Sequence, residues 1–225
     1  MGTDSSFLST PSLSREAPRV RHIAMDTLEV GLVFGLIMAG VWTLQGRINT
    51  VVCLAAALLV IALSLVSSFS GRQLGLHRPL SGVAVMLGFG GLFVVMIVFA
   101  GTFTRAWGLP HAVPWTRAWQ YAVWALVQEF ILQSFFFVRL ERIFGGRRAV
   151  WAAAVLFAIA HIPSPLLTAL SFLGALFFCE MFRRYRNIFP LGLVHAALGL
   201  TIAASLPDSI LHHMRVGIGF LMYHP

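Results

Sequence analysis

The chain has 225 residues, of which 58% are hydrophobic and only 11% are charged, and its mean hydropathy is +0.84. Because a soluble domain carries about 25% charged residues, this composition excludes an ordinary soluble monomer, whose surface needs more polar side chains. The formal net charge is +8, and all 16 basic residues are arginine. The absence of lysine excludes Schiff-base and P-loop chemistry. So apolar a chain favours the bilayer over nucleic acid as its partner.

The polar segment 1–26 is rich in Ser, Thr and Pro and predicts a flexible cytoplasmic tail rather than a signal peptide. A membrane span needs roughly 17–25 apolar residues. By that measure about seven transmembrane helices are predicted, over 28–45, 50–69, 80–101, 118–138, 149–163, 165–182 and 188–206. We therefore expect an all-α polytopic membrane bundle over 27–206. The last residues, 207–225, are too short and polar to span and predict an interfacial C-terminal segment.

The arginines indicate the orientation of these spans. When successive loops alternate between the two sides of the membrane, 12 arginines fall on one side and 4 on the other. Short arginine-rich loops stay in the cytoplasm, so the N-terminus is expected inside and the C-terminus outside. We expect an integral protein of the bacterial inner (cytoplasmic) membrane.

The fourth predicted span carries a polar group in its middle, formed by Gln128, Glu129 and Gln133. Glu129 and Gln133 are four residues apart and share a helix face. An ionisable side chain at membrane depth is costly and indicates function by default. Glu129 is thus a candidate general base or acid; the alternative is a structural hydrogen bond to a neighbouring helix.

Two histidines lie in later spans: His161, one turn after Phe157, and His195, one turn before Gly199. Either histidine alone would more often be a packing or hydrogen-bonding residue. Together with Glu129 they could orient a water molecule, or bind a divalent metal such as zinc through two imidazoles and a carboxylate. Otherwise no cofactor is expected. The two cysteines, Cys53 and Cys179, predict small buried hydrophobic residues rather than a disulfide.

Three short motifs stand in order along residues 118–200. They read Gln128-Glu129-Phe-Ile-Leu-Gln133, Phe157-Ala-Ile-Ala-His161 and His195-Ala-Ala-Leu-Gly199. This arrangement resembles the CPBP family, the CAAX prenyl protease (Rce1-type) and abortive-infection intramembrane endopeptidases. The resemblance implies a glutamate-dependent intramembrane endopeptidase. In that family a glutamate of the first motif and the histidine of the second activate water, and the third motif stabilises the oxyanion.

Two positions depart from the family pattern. Gln128 stands where the first glutamate of a pair is expected, and an amide cannot take a proton from water. Gly199 stands where an asparagine or aspartate is expected, which removes an oxyanion donor. Either Glu129 is the base of a variant subgroup, or the fold keeps its cavity without hydrolysis.

The leading hypothesis is an intramembrane endopeptidase that cleaves a membrane-anchored peptide or protein. Glu129 and His161 would activate water, and His195 would polarise the scissile carbonyl. An alternative is a non-catalytic membrane binding or chaperone-like protein that uses the same cavity. A third hypothesis is a haem protein with both histidines as axial ligands. The expected partners are a membrane-embedded peptide or protein and the lipid bilayer, with no nucleic acid.

Overall fold

A computed structural model describes residues 13–103, 113–206 and 208–222, and within these ranges the chain is helical without β-strands. The predicted all-α polytopic membrane bundle is confirmed. Helices suit this chain because a spanning segment must satisfy its backbone polar groups internally. The helices are α1 (Leu13–Val41), α2 (Arg47–Val66), α3 (Val83–Phe103), α4 (Trp115–Glu129), α5 (Val138–Phe144), α6 (Gly146–Ile159), α7 (Pro165–Tyr185), α8 (Phe189–Ser205), α9 (Asp208–Leu211) and α10 (Gly217–Leu221).

Five helical stretches are long and apolar enough to cross a membrane, against about seven predicted spans. They are Val20–Val41, Arg47–Val66, Val83–Thr102, Trp115–Phe144 and Pro165–Tyr185. The other two predicted spans correspond to α6 and α8, which have 14 and 17 residues. At 1.5 Å per residue they extend only about 21 and about 26 Å. Both pack against longer helices, α6 against α7 and α8 against α3 and α4.

The segment predicted as a tail is helical from Leu13 onward, while residues 1–12 lie outside the described part of the chain. Its acidic residues explain the difference. Asp26 is buried and pairs with Arg142, and Glu29 pairs with Arg139 through a 2.7 Å contact between Oε2 and Nε. Asp26 and Glu29 are thus held by ion pairs with arginines of α5.

Four arginines of the predicted cytoplasmic loops lie near one another: Arg139 and Arg142 lie over the ring of Phe69, which borders the same pocket as Arg72 and Arg186. Arg139 is fully buried and donates to the backbone carbonyls of Phe135 and Leu63 as well as to Glu29. Arg186 pairs with Glu141, which ties the ends of α7 and α5 together. This arrangement agrees with the alternation of loops inferred from the sequence. That this end faces the cytoplasm stays a prediction.

The fourth predicted span is one long helical stretch with an irregular centre. Between α4 and α5 the chain forms a π-helix over Phe130–Phe137. Its side chains are largely buried, and the Ser134 hydroxyl donates to the carbonyl of Leu74 at 2.7 Å. Helical segments of this kind are rare and frequently lie at functional sites. The π-helix begins directly after Glu129, which places the widened turn beside the candidate site.

Candidate active site

Glu129 and His195 are joined across the contact between α4 and α8. The Oε1 atom of Glu129 lies 2.9 Å from Nδ1 of His195. The other carboxylate oxygen, Oε2, accepts a 3.1 Å hydrogen bond from Nε2 of Gln133. Glu129 and Gln133 are fully buried. Both oxygens of the carboxylate are therefore engaged, and the shared face predicted for Glu129 and Gln133 is present.

A glycine lets the two helices approach closely enough for this pair. Gly192 lies three residues before His195 on α8 and faces Leu126 on α4. A Cβ atom at position 192 would come within 3.1 Å of Leu126 Cα and 2.8 Å of its Cδ1. The approach to Leu126 Cα is tighter than an ordinary carbon contact, so a larger residue would require α8 and α4 to move apart by a few tenths of an ångström. Gly192 thus allows α8 to lie close enough to α4 for His195 to contact Glu129. Small residues commonly allow such close packing between membrane helices.

His161 follows the last turn of α6 and is held by the backbone. Its Nδ1 lies 2.6 Å from the carbonyl oxygen of Phe157. Because a carbonyl oxygen only accepts hydrogen bonds, Nδ1 carries the hydrogen and Nε2 is left with a lone pair when the ring is neutral. The family motif that links Phe157 to His161 therefore has a local structural role, since it fixes the tautomer of the histidine.

Phe157 lies between the two histidines. The centroid of its ring lies 4.7 Å from that of His161 and 6.0 Å from that of His195. On its other side, the His195 ring stacks on Phe178 at 5.2 Å with an angle of 16° between the planes. These contacts hold both imidazoles in defined orientations, a requirement for a site that must act on a single reacting group.

A large cavity of about 1240 Å³ opens in front of the histidines. Its walls are mainly aliphatic and aromatic, and its polar lining includes Gln128, His161 and His195. Glu129 is not part of the lining; it lies behind His195. The buried carboxylate contacts the imidazole of His195, which borders the cavity. That Glu129 and His161 act together on one water molecule stays a prediction.

Further parts of the chain line the same cavity. The predicted interfacial segment contributes Met214, Val216, Ile218 and Met222, and the Gly217 N–H donates to the carbonyl of Ile162 at 2.9 Å. Cys53 is exposed and borders the cavity, contrary to the expectation of burial. The other cysteine is buried as expected.

Tyr121 is a cavity residue that the sequence reasoning missed. It lies on α4 seven residues before Gln128, so the two side chains share a helix face. Its ring faces Gly199 on α8 and occupies the space that a side chain at position 199 would need. The position that departs from the family pattern is thus filled from another helix. The seven-residue spacing from Gln128 is the only signal in the sequence that could have indicated this residue.

A metal site built on Glu129, His161 and His195 does not fit this geometry. Within the described ranges, no three His, Cys, Asp or Glu side chains are close enough to hold a metal ion. Glu129 already accepts hydrogen bonds at both oxygens, which leaves the two Nε2 atoms as the remaining ligands. A zinc site with three protein ligands needs one more.

Comparison with known proteins identifies the part of the chain that holds the site. Residues 110–201 match the family model described as type II CAAX prenyl endopeptidase Rce1-like. These residues, here called the Rce1-like region, make up less than half of the chain. The Rce1-like region contains all three motifs, and the resemblance drawn from them is confirmed. No curated protein and no solved structure matches the chain.

The Rce1-like region supplies the polar groups of the site, whereas α1, α2 and α3 supply apolar walls through residues such as Phe34, Val60 and Phe93. This similarity supports an intramembrane protease-type function for an integral membrane protein. A membrane-associated peptide in the lipid bilayer is the kind of substrate that such a protein acts on.

Proposed function

We propose that the chain is an intramembrane endopeptidase in which His195, oriented by Glu129, activates a water molecule against a peptide bond. The observation that carries this proposal is the pairing of a buried carboxylate with a histidine on the wall of a large cavity. A carboxylate behind an imidazole fixes its tautomer and stabilises the imidazolium that forms when the ring takes a proton. The Rce1-like match supports the same class of reaction.

The hydrogen bonds suggest how the proton moves. With the Glu129 carboxylate accepting the Nδ1–H of His195, the ring presents the Nε2 lone pair to the cavity. A water molecule attacks the carbonyl carbon, and its proton passes to Nε2. The new C–O bond forms as the carbonyl π electrons move onto the oxygen. The intermediate then collapses with cleavage of the C–N bond, and His195 returns the proton to the leaving nitrogen, so one water is consumed for one carboxylic acid and one amine.

This assignment revises the role expected for His195. A neutral ring that carries its only hydrogen on Nδ1 has none on Nε2 to polarise a carbonyl, so His195 acts as the base. His161 also presents an Nε2 lone pair and positions the attacking water by accepting its second hydrogen. Gln128 lies on the cavity wall and its amide binds the peptide backbone of the substrate. Gln133 holds the Glu129 carboxylate in place.

The substrate that suits this cavity is a peptide tail with an apolar membrane anchor. The volume of about 1240 Å³ exceeds that of a typical small-molecule pocket, about 300–1,000 Å³. Apolar walls suit a prenyl chain or another lipid, and the matching family is described as a type II CAAX prenyl endopeptidase. The bacterial inner membrane as location rests on the resemblance to abortive-infection proteins.

Cleavage by the reconstituted protein tests the proposal. Two fluorogenic peptides would be compared, both ending in a CAAX-type sequence, one farnesylated on its cysteine and one methylated there. We expect the wild type to cleave the farnesylated peptide and His195→Ala to lose at least a factor of 10² in rate. His22→Ala, which removes an exposed histidine of α1, serves as the control and should cleave normally. Failure of the wild type to cleave either peptide would overturn the proposal.

A further inference from the structure

One turn after His195 on α8, the space beside Gly199 is occupied by the phenol of Tyr121. Gly199 follows His195 by four residues, so both positions face the same side of the helix. A Cβ atom at position 199 would overlap the hydroxyl oxygen of Tyr121 and would lie 2.6 Å from its Cζ and Cε1. A tyrosine from α4 therefore takes the place of any side chain at position 199 and brings a hydroxyl group to this part of the cavity.

The hydroxyl of Tyr121 has no hydrogen-bond partner among the described residues, and its half-buried side chain borders the cavity. A tyrosine hydroxyl in apolar surroundings usually finds a partner, because leaving it unsatisfied is costly. Tyr121 lines the same cavity as Gln128, His161 and His195. Its O–H is thus a free donor that borders the volume in which a substrate carbonyl would lie.

We infer that Tyr121 donates a hydrogen bond to the carbonyl oxygen of the scissile peptide bond. This inference rests on the proposed peptidase function and deepens it by naming the oxyanion donor. As the attacking water bonds to the carbonyl carbon, negative charge develops on the oxygen, and the phenol stabilises it while keeping its own proton. A preorganised donor of this kind accelerates acyl transfer because its interaction strengthens as charge develops. The donor lost at Gly199 is replaced from a different helix.

The first test is Tyr121→Phe, which keeps the ring between α4 and α8 and removes only the hydroxyl. With the farnesylated peptide, we expect kcat to fall by about 10²–10³ with a nearly unchanged KM and unfolding temperature. The compensating variant Tyr121→Ala/Gly199→Asn places an amide donor in the vacated space and should recover part of the lost rate. Tyr121→Ala alone also lacks the ring but gains no amide donor, so its kcat should stay low. A Tyr121→Phe enzyme with wild-type kcat would overturn the inference.

A binding measurement separates this inference from the proposed function. Two farnesylated peptides that resist cleavage would be compared, one with a ketomethylene group at the scissile position and one with a methylene in place of its carbonyl. Tyr121→Phe should weaken binding of the ketone about tenfold and leave binding of the methylene peptide unchanged. Equal effects on both ligands would contradict the role of Tyr121 even if the wild type cleaved its substrate. A selective loss for the ketone would support it even if the wild type showed no turnover.

Discussion

Glu129 and His195 form a pair in which the carboxylate is sealed from the cavity and the imidazole borders it. Oε1 and Nδ1 lie 2.9 Å apart, Glu129 is fully buried, and the His195 side chain keeps 12% of its surface exposed. Under the proposed function, the group that meets a substrate is the imidazole of His195, and Glu129 acts through it. This relationship explains how a chain with Gln128 in place of a glutamate can retain a base.

Replacing Glu129 by glutamine should remove most of the activity without unfolding the protein. The amide can still face Nδ1, but it carries no charge to stabilise the imidazolium. We expect the rate of peptide cleavage to fall by about 10²–10⁴, measured with the farnesylated peptide. Glu180→Gln makes the same chemical change at the salt bridges to Arg183 and Arg184, away from the site, and should retain wild-type activity. Similar rates for both variants would exclude the role of Glu129.

Replacing Gly192 by alanine should lower activity by separating α8 from α4. The added Cβ would come within 3.1 Å of Leu126 Cα, so α8 must shift and the contact between Glu129 and His195 must lengthen. We expect at least a tenfold loss in kcat, because catalytic groups tolerate little displacement. Gly88→Ala on α3 is the matched control, since nothing lies within 4 Å of its added Cβ. An active Gly192→Ala enzyme would show that the approach of the helices is not needed.

Stability should depend on the buried arginine at the arginine-rich end of the bundle. Arg139→Met removes the partner of Glu29 and the donor to two backbone carbonyls. We expect the free energy of unfolding to fall by about 2–4 kcal/mol, measured by SDS titration in mixed micelles. Arg184→Met removes an arginine that is 57% exposed and should cost less than about 1 kcal/mol. Equal losses for the two variants would contradict the structural role of Arg139.

The rates at which the two cysteines react with a maleimide should show which of them is accessible from the cavity. Cys53 is exposed and borders the cavity, whereas Cys179 is buried. A maleimide added to the folded protein should label Cys53 and leave Cys179 unmodified until the protein is denatured, as mass spectrometry would show. A farnesylated peptide should slow the labelling of Cys53, and Cys53→Ser provides the control. Rapid modification of Cys179 in the folded protein would contradict the burial of this residue.

Much of the fold could be predicted because a long apolar run in lipid must satisfy its backbone polar groups internally and therefore forms a helix. The predicted spans agree with α2, α3, α7 and α8 to within a few residues. The segment 13–26, expected as a tail, is helical, and its Asp26 is buried in an ion pair with Arg142, which lies 116 positions further along the chain. Hydropathy shows that such a residue is polar, but it does not show that a residue distant in sequence forms an ion pair with it.

The polar members of the site could also be predicted, but their partners could not. Helical spacing placed Glu129 and Gln133 on one face, and the motifs indicated His161 and His195. That Glu129 contacts His195 rather than the cavity depends on how α4 and α8 rotate against each other, which no local pattern specifies. The π-helix after Glu129 and the insertion of Tyr121 opposite Gly199 likewise arise from packing between helices.

The origin of the oxygen in the product tests the central claim most directly. The purified wild-type protein would cleave the farnesylated peptide in water enriched in ¹⁸O, and the new C-terminal carboxyl group would be analysed by mass spectrometry. The proposed hydrolysis predicts one ¹⁸O atom in that carboxyl group at the single cleavage position, with His195→Ala forming almost no labelled product. An intact peptide, or labelled product formed equally fast by His195→Ala, would contradict the account.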